Sequence, residues 1–141
     1  MASKNILIAE SGSTKTDWCL IQGNRKKMFQ TQGINPYFLL EKEILFIFEN
    51  ELKIQRSKTQ IDEIHFYGAG INSTDHKKRI EKCLKMHFNI KDVYSYSDLL
   101  ASARATCGHQ KGIACILGTG SNSCYYDGKK MGFKTPIEVF F

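Results

Sequence analysis

The sequence lacks the segments that would send a protein to a membrane or across one. None of its apolar runs approaches the roughly 20 residues of a membrane-spanning helix, and the N-terminus has no hydrophobic core of a signal peptide. We therefore expect a cytoplasmic protein that does not bind a membrane. Its 141 residues, 42% of them hydrophobic and 24% charged, suffice for one globular domain and are too few for two ordinary ones.

Paired cysteines and continuous basic stripes are missing as well. The five cysteines are an odd number without a CxxC motif, so neither a disulfide framework nor a zinc site is expected. Most of them lie in apolar or small-residue runs, which favours buried free thiols. The net charge is +6, but the basic residues fall in short groups without interleaved aromatic residues. This distribution argues against nucleic acid as a partner and still allows a phosphorylated ligand.

The segment ILIAESGSTKTDWCL, residues 6–20, predicts two short strands joined by a tight turn. An apolar run ends in the carboxylate of Glu10, and a turn of small polar residues follows. This turn offers backbone N–H groups, hydroxyls and one amine to an anion, with little side-chain bulk in the way. An ordinary hairpin without a ligand is the alternative. The turn consists of Ser11, Gly12, Ser13, Thr14 and Lys15.

The remaining pattern alternates helices with strands, which predicts an α/β fold with a mixed sheet. Asn35 and Pro36 are suited to begin a helix that ends near Lys53. Its predicted apolar stripe consists of Tyr37, Leu40, Ile44, Leu45, Phe48 and Leu52. The other predicted elements are strands over 27–32, 61–67, 93–96 and 112–117, a helix from the N-cap Ser73 through Phe88, a helix over 99–108, and a hairpin over 124–133 around Asp127-Gly128.

A second turn of small polar residues, GTGSNS at residues 118–123, follows a run that reads as a buried strand. Neither turn matches the phosphate-binding P-loop, and GTGSNS lacks the third glycine of a dinucleotide fingerprint. Acidic residues, Glu10 and Asp98, stand at the ends of two other strands. Together these features predict a phosphate clamp flanked by carboxylates, the combination that phosphoryl transfer needs. Alternatively, Asp98 only stabilises the N-terminus of a helix.

Five segments, taken in order, resemble the N-acetylglucosamine kinase group of the BadF/BadG/BcrA/BcrD ATPase family, in the sugar kinase, Hsp70 and actin superfamily. They are SGSTKTDW, GINP, FYGAG, SDLLASARATCG and ILGTGSNS, and the resemblance extends from about Asn5 to about Pro136. It implies an α/β, ribonuclease H-like (actin-like ATPase) lobe, with a mixed β-sheet, antiparallel hairpins at its start and helices packed on it. It also implies ATP and Mg²⁺ as cofactors and a small-molecule sugar as substrate.

The resemblance assigns a role to each candidate site residue. Asp98 matches the general base, which also contacts the sugar, and Asn35 and Gly70 match sugar contacts. Glu10 matches a carboxylate that holds magnesium through water, where relatives usually carry Asp. The nucleotide-phosphate residues that it implies are Ser11, Gly12, Ser13, Thr14, Lys15, Gly118, Thr119, Gly120 and Ser121. Asn35 can also serve only as a helix cap, and Gly68–Gly70 only as a turn.

Relatives continue past Pro136 into a second lobe, whereas this chain ends in IEVFF. We therefore expect residues 1–141 to form a single N-terminal lobe, with the C-terminal lobe absent. Either a second copy of the chain, in a homodimer, or that missing lobe is then expected to cover the exposed apolar surface. Three functions remain open: an amino-sugar kinase, a non-catalytic lobe that binds sugar or phosphate weakly, and an ATPase that activates a dehydratase. The scattered cysteines give the last of these little support, because it requires an iron–sulfur cluster.

Overall fold

The computed structural model describes residues 3–54, 58–118 and 120–134, and the chain forms two compact units, Met1–Tyr96 and Ser97–Phe141. The sequence predicts a single lobe without this division, and its identity as an N-terminal lobe stays a prediction. In chain order the elements are β1 (Asn5–Ser11), β2 (Lys15–Gln22), β3 (Arg25–Gln32), α1 (Glu41–Asn50), β4 (Glu63–Gly68), α2 (Thr74–Phe88), β5 (Val93–Ser97), α3 (Asp98–Cys107), β6 (Gly112–Leu117), β7 (Ser121–Tyr126) and β8 (Met131–Lys134).

The first unit contains a five-stranded mixed sheet in the order β3-β2-β1-β4-β5. Short turns join β1 to β2 and β2 to β3, so these strands pair antiparallel, and Gly23 takes the positive φ of 57° that the second turn requires. In the chain, β2, β3 and α1 lie between β1 and β4, and these two strands pair in parallel. The predicted mixed sheet with antiparallel hairpins at its start is therefore confirmed.

Alternate residues of the sheet pack against α1 and α2 to form one core. Trp18 lies at its centre, fully buried, with its ring edge-to-face against Phe48 and Phe66 at centroid distances of 5.7 and 6.0 Å. The indole N–H of Trp18 donates to Thr31 Oγ1 at 3.1 Å, which satisfies its one polar atom. Trp18 is therefore a core residue.

The first helix begins at Glu41, so the prediction that it begins at Asn35 is wrong. The side chain of Asn35 instead closes a turn, because its Oδ1 accepts the N–H of Tyr37 at 2.9 Å. Leu40 precedes the helix, and its N–H donates to the carboxylate of Glu43 at 2.7 Å. Tyr37 and Leu40 are therefore exposed, whereas the predicted stripe is buried at Ile44, Phe48 and Leu52.

The second helix agrees closely with its predicted bounds. Ser73 is its N-cap and accepts the N–H of His76 at 3.2 Å, and the left-handed Asn89 follows its last residue. Its inner face includes Ile80, Cys83 and Leu84, which are buried. In the described part of the chain, no helix combines the length and apolar character needed to cross a membrane.

The second unit packs α3 on one face of an antiparallel sheet in the order β6-β7-β8. The prediction that β6 is buried is wrong, because Ala114 is its only buried residue while Ile113 and Leu117 are 74% and 81% exposed. Alternation along the strand explains this difference, since α3 covers only one face. The predicted hairpin turn is confirmed: Asp127 Oδ1 accepts the backbone N–H groups of Lys129 and Lys130, both at 2.7 Å.

Candidate functional site

Three loops of the first unit meet around the buried residue Ser11, at the end of β1. Its Oγ accepts the N–H of Ile34 at 2.9 Å and lies 2.7 Å from Thr16 Oγ1 and 3.0 Å from the carbonyl oxygen of Ile34. Its own carbonyl accepts the N–H of Ala69 at 2.9 Å. Ser11 is fully buried, so its hydroxyl joins the loops from the interior, whereas the resemblance implies a phosphate contact.

The predicted phosphate turn is held closed by backbone hydrogen bonds. The Gly12 N–H donates to Lys15 O at 2.9 Å, and the Gly33 N–H donates to Thr14 O at 3.0 Å. A Cβ on Gly33 would lie 2.5 Å from Ser13 O and 2.6 Å from Gly12 O, so this close approach requires glycine. Ser13, Thr14 and Lys15 are exposed at the tip. The turn therefore presents two hydroxyls and an ammonium group to solvent.

The charged groups beside the turn belong to one face of the β1–β2 hairpin. Glu10 and Asp17 are directly opposite each other, and Lys15 Nζ pairs with Asp17 Oδ2 at 2.8 Å. Hydrogen bonds from Gln30 and Lys15 lower the pKa of Asp17, and the bond to Asp17 raises the pKa of Lys15. The sequence did not lead us to Asp17. A signal was present, because Lys15 and Asp17 alternate on one face of the strand, and a tight turn sets that face beside Glu10.

Glu10 and Asp17 form a donor set that fits magnesium, because Mg²⁺ prefers oxygen ligands and is commonly held by one or two carboxylates together with waters and substrate phosphates. Like charges directly opposite on two strands repel each other, and a divalent cation would relieve that repulsion. Nowhere in the described ranges do three or more His, Cys, Asp or Glu side chains gather as a metal site. A magnesium ion here would therefore rely on water and phosphate for its remaining ligands.

Two of the three residues that the resemblance assigns to the sugar, Asn35 and Gly70, lie in contact. Gly70 has a φ of +76°, and a Cβ at this position would overlap Oδ1 of Asn35. Only a glycine can both adopt this conformation readily and allow the approach. Asn35 is half-buried, and its loop joins the phosphate turn through Ile34 and Gly33. The first unit therefore brings the phosphate turn and the Asn35–Gly70 pair together.

In the second unit, Asp98 is the first residue of α3. Its Oδ1 lies 2.9 Å from the N–H of Leu99, which also donates to the N-cap Ser97 Oγ at 3.1 Å. Asp98 is half-buried. Its position in the first turn of α3 is the one expected of a residue that only stabilises the helix N-terminus. Its role as a general base stays a prediction.

The second predicted loop is shorter in the structure than in the sequence reading, because Ser121 already begins β7. The Gly118 N–H donates to Gly120 O at 3.0 Å, and both glycines are exposed. Ser121 is half-buried opposite Leu117. Thr119, which the resemblance also assigns to phosphate binding, lies outside the described residues.

Comparison with solved structures supports the resemblance. The chain is 38% identical, with a TM-score of 0.84, to a protein of Porphyromonas gingivalis assigned as an N-acetylglucosamine kinase. It is similar in fold to another protein so assigned from Chromobacterium violaceum (15% identity, TM-score 0.64) and to the ethanolamine utilization protein EutJ of Carboxydothermus hydrogenoformans (9% identity, TM-score 0.56). These matches cover 93%, 92% and 96% of the chain. Neither a family model nor a curated protein sequence matches it.

The predicted ribonuclease H-like, actin-like ATPase fold and the resemblance to N-acetylglucosamine kinases are thereby confirmed. The chain spans about half the length of these relatives, with 47%, 47% and 53% of their chains matched.

Proposed function

We propose that this chain, which resembles the N-acetylglucosamine kinases, forms the phosphate- and sugar-binding part of an ATP-dependent kinase for an amino sugar. The observation that carries the proposal is the meeting of three loops around Ser11, which sets the exposed phosphate turn beside the Asn35–Gly70 pair. Phosphoryl transfer depends mainly on positioning and electrostatic stabilisation, so a site that holds donor and acceptor side by side meets its first requirement. The assignment of the similar P. gingivalis protein suggests N-acetylglucosamine as the acceptor.

The turn would bind the phosphates of ATP through the Ser13 and Thr14 hydroxyls and the Lys15 ammonium. Lys15 is paired with Asp17 at the surface, where ion pairs contribute little to stability, so it can exchange that carboxylate for a phosphate oxygen at low cost. The exchange would leave Asp17 beside Glu10 for magnesium. Bound Mg²⁺ supplies neutralisation of the charge on the phosphate oxygens.

On the acceptor side, Asn35 would hold the sugar. Its Oδ1 is engaged by the N–H of Tyr37, so the amide NH₂ is the group that we expect to donate to a sugar oxygen. Asp98 would accept the proton of the attacking hydroxyl, as the resemblance implies, and residues 118–121 would form the second phosphate loop. We place the reaction in the cytoplasm, where ATP is available and the five free cysteines stay reduced.

A non-catalytic binding unit is the second candidate, because the chain spans only 47% of the P. gingivalis protein. In that case we expect it to bind the sugar without transferring a phosphoryl group.

Calorimetry with N-acetylglucosamine and with Mg·ATP separately, followed by a phosphoryl-transfer assay, tests both candidates. The kinase proposal expects both ligands to bind, and it expects Asp98→Asn to abolish transfer while Asp75→Asn, an exposed control at the start of α2, does not. Sugar binding without transfer would favour the non-catalytic unit. Binding of neither ligand would refute both.

A further inference from the structure

The first two turns of α2 contact both backbone segments that carry the proposed sugar residues. His76 is the third residue of this helix and Arg79 follows three positions later, so their side chains lie on the same face. His76 contacts the turn that contains Gly70, and Arg79 contacts the segment that follows Asn35. Neither side chain belongs to a motif that the sequence reading assigned to the site.

His76 holds the Gly70 turn through one ring nitrogen. Its Nδ1 lies 2.9 Å from the carbonyl oxygen of Gly70 and 2.9 Å from Oδ1 of Asn72. A carbonyl oxygen can only accept, so Nδ1 must carry the hydrogen. The neutral ring is therefore the Nδ1–H tautomer, and its hydrogen secures a turn whose central glycine has a φ of +76°.

Arg79 holds the other segment. Its Nη1 donates to the carbonyl oxygen of Pro36 at 2.5 Å and to that of Leu39 at 3.1 Å. Arg79 is half-buried, and these charge-assisted bonds fix the loop between Asn35 and α1. The two segments are also linked by a ring contact, because Tyr37 lies edge-to-face on His76 with centroids 5.7 Å apart.

We propose that His76 and Arg79 are positioning residues for the acceptor sugar, tying the Gly70 turn and the Asn35 loop to one helix face. The inference rests on the proposed function. Asn35 is held by the N–H of Tyr37 and by the close approach of Gly70, and each of these neighbours is in turn held by α2. Sugar affinity thus depends on two side chains for which no sugar contact is assigned.

The test compares variants of the full 141-residue chain by calorimetry with N-acetylglucosamine and, separately, with Mg·ATP. His76→Ala is expected to bind the sugar about tenfold more weakly, the factor that corresponds to one lost hydrogen bond, with ATP affinity unchanged. His76→Asn is expected to restore most of the affinity, because its amide N–H can replace Nδ1–H. Lys78→Ala, an exposed substitution on the same helix, is the matched control. Wild-type sugar affinity in His76→Ala would overturn the proposal.

Arg79→Ala is expected to cause a similar, selective loss of sugar affinity. Combined with His76→Ala, it should weaken binding by less than the product of the two single effects, because both side chains hold one arrangement. Fully independent effects would count against a shared positioning role.

A second readout needs no sugar and separates this inference from the proposed function. The ¹⁵N chemical shifts of the imidazole ring, assigned by their loss in His76→Asn, should report the Nδ1–H tautomer. A ring protonated only on Nε2 would overturn the positioning role even if the sugar binds. If the wild-type chain binds no sugar while the Nδ1–H tautomer is present, the proposed function fails, and the sugar-positioning role fails with it.

Discussion

Replacing Ser11 by alanine tests the idea that one buried hydroxyl joins the loops of the site. The substitution leaves the N–H of Ile34 without its acceptor in the interior and removes the contact with Thr16. A buried donor without a partner costs about 1–3 kcal/mol, and each lost hydrogen bond about 1 kcal/mol. Thr16 keeps the carbonyl oxygen of Gln32 as a partner, whereas the N–H and the carbonyl oxygen of Ile34 both lose the Ser11 hydroxyl. We therefore expect a loss of about 2–3 kcal/mol in the free energy of unfolding, a large share of the roughly 5–15 kcal/mol typical of a protein.

Urea unfolding followed by tryptophan fluorescence measures this loss. Trp18 is the single tryptophan and is fully buried in the first unit, so its emission reports the unit that contains Ser11. The expected change is a fall of about 1 M in the urea midpoint with an unchanged slope. In a thermal melt it corresponds to a decrease of about 10–20 °C.

Ser13→Ala is the matched control, because Ser13 lies in the same turn and is exposed. Its effect should remain within about 0.5 kcal/mol, as is usual for surface substitutions. If Ser11→Ala unfolds at the same urea concentration as Ser13→Ala, the hydroxyl does not hold the loops together, and the structural basis of the proposed site is wrong.

Two further predictions follow from the titratable groups. Burial raises the pKa of the Cys83 thiol to about 11, whereas Cys115 is exposed. Iodoacetamide at pH 8 should therefore modify Cys115 first, as measured by peptide mass spectrometry. Prompt modification of Cys83 would contradict its buried position. Hydrogen bonds from Gln30 and Lys15 lower the pKa of Asp17 below its ordinary value of 3.8. The ionised carboxylate therefore stabilises the folded chain. This stabilisation is fully present above pH 3.8 and is lost as the pH falls through the folded-state pKa. The difference in urea midpoint between wild type and Asp17→Asn should therefore shrink at acidic pH, and a difference that grows there would refute this sign.

Local signals predicted most of the elements. Short apolar runs and turn signals identified the strands of both hairpin groups, and the N-cap Ser73 identified α2 within one residue. Where the prediction was wrong, a tertiary or side-chain interaction overrode the local signal. Asn35 closes a turn instead of starting a helix, and the apolar run of β6 is exposed on one face because α3 covers only the other.

The composition of the candidate site followed from sequence, and its arrangement did not. The sequence by itself determined that small polar turns and carboxylates stand at strand ends, because strand and turn preferences act over a few neighbouring residues. Only the tertiary structure decided that Ser11 is a buried anchor and that Gly70 contacts Asn35. These contacts depend on the parallel pairing of β1 with β4 and on the packing of α2, which join segments far apart in the chain.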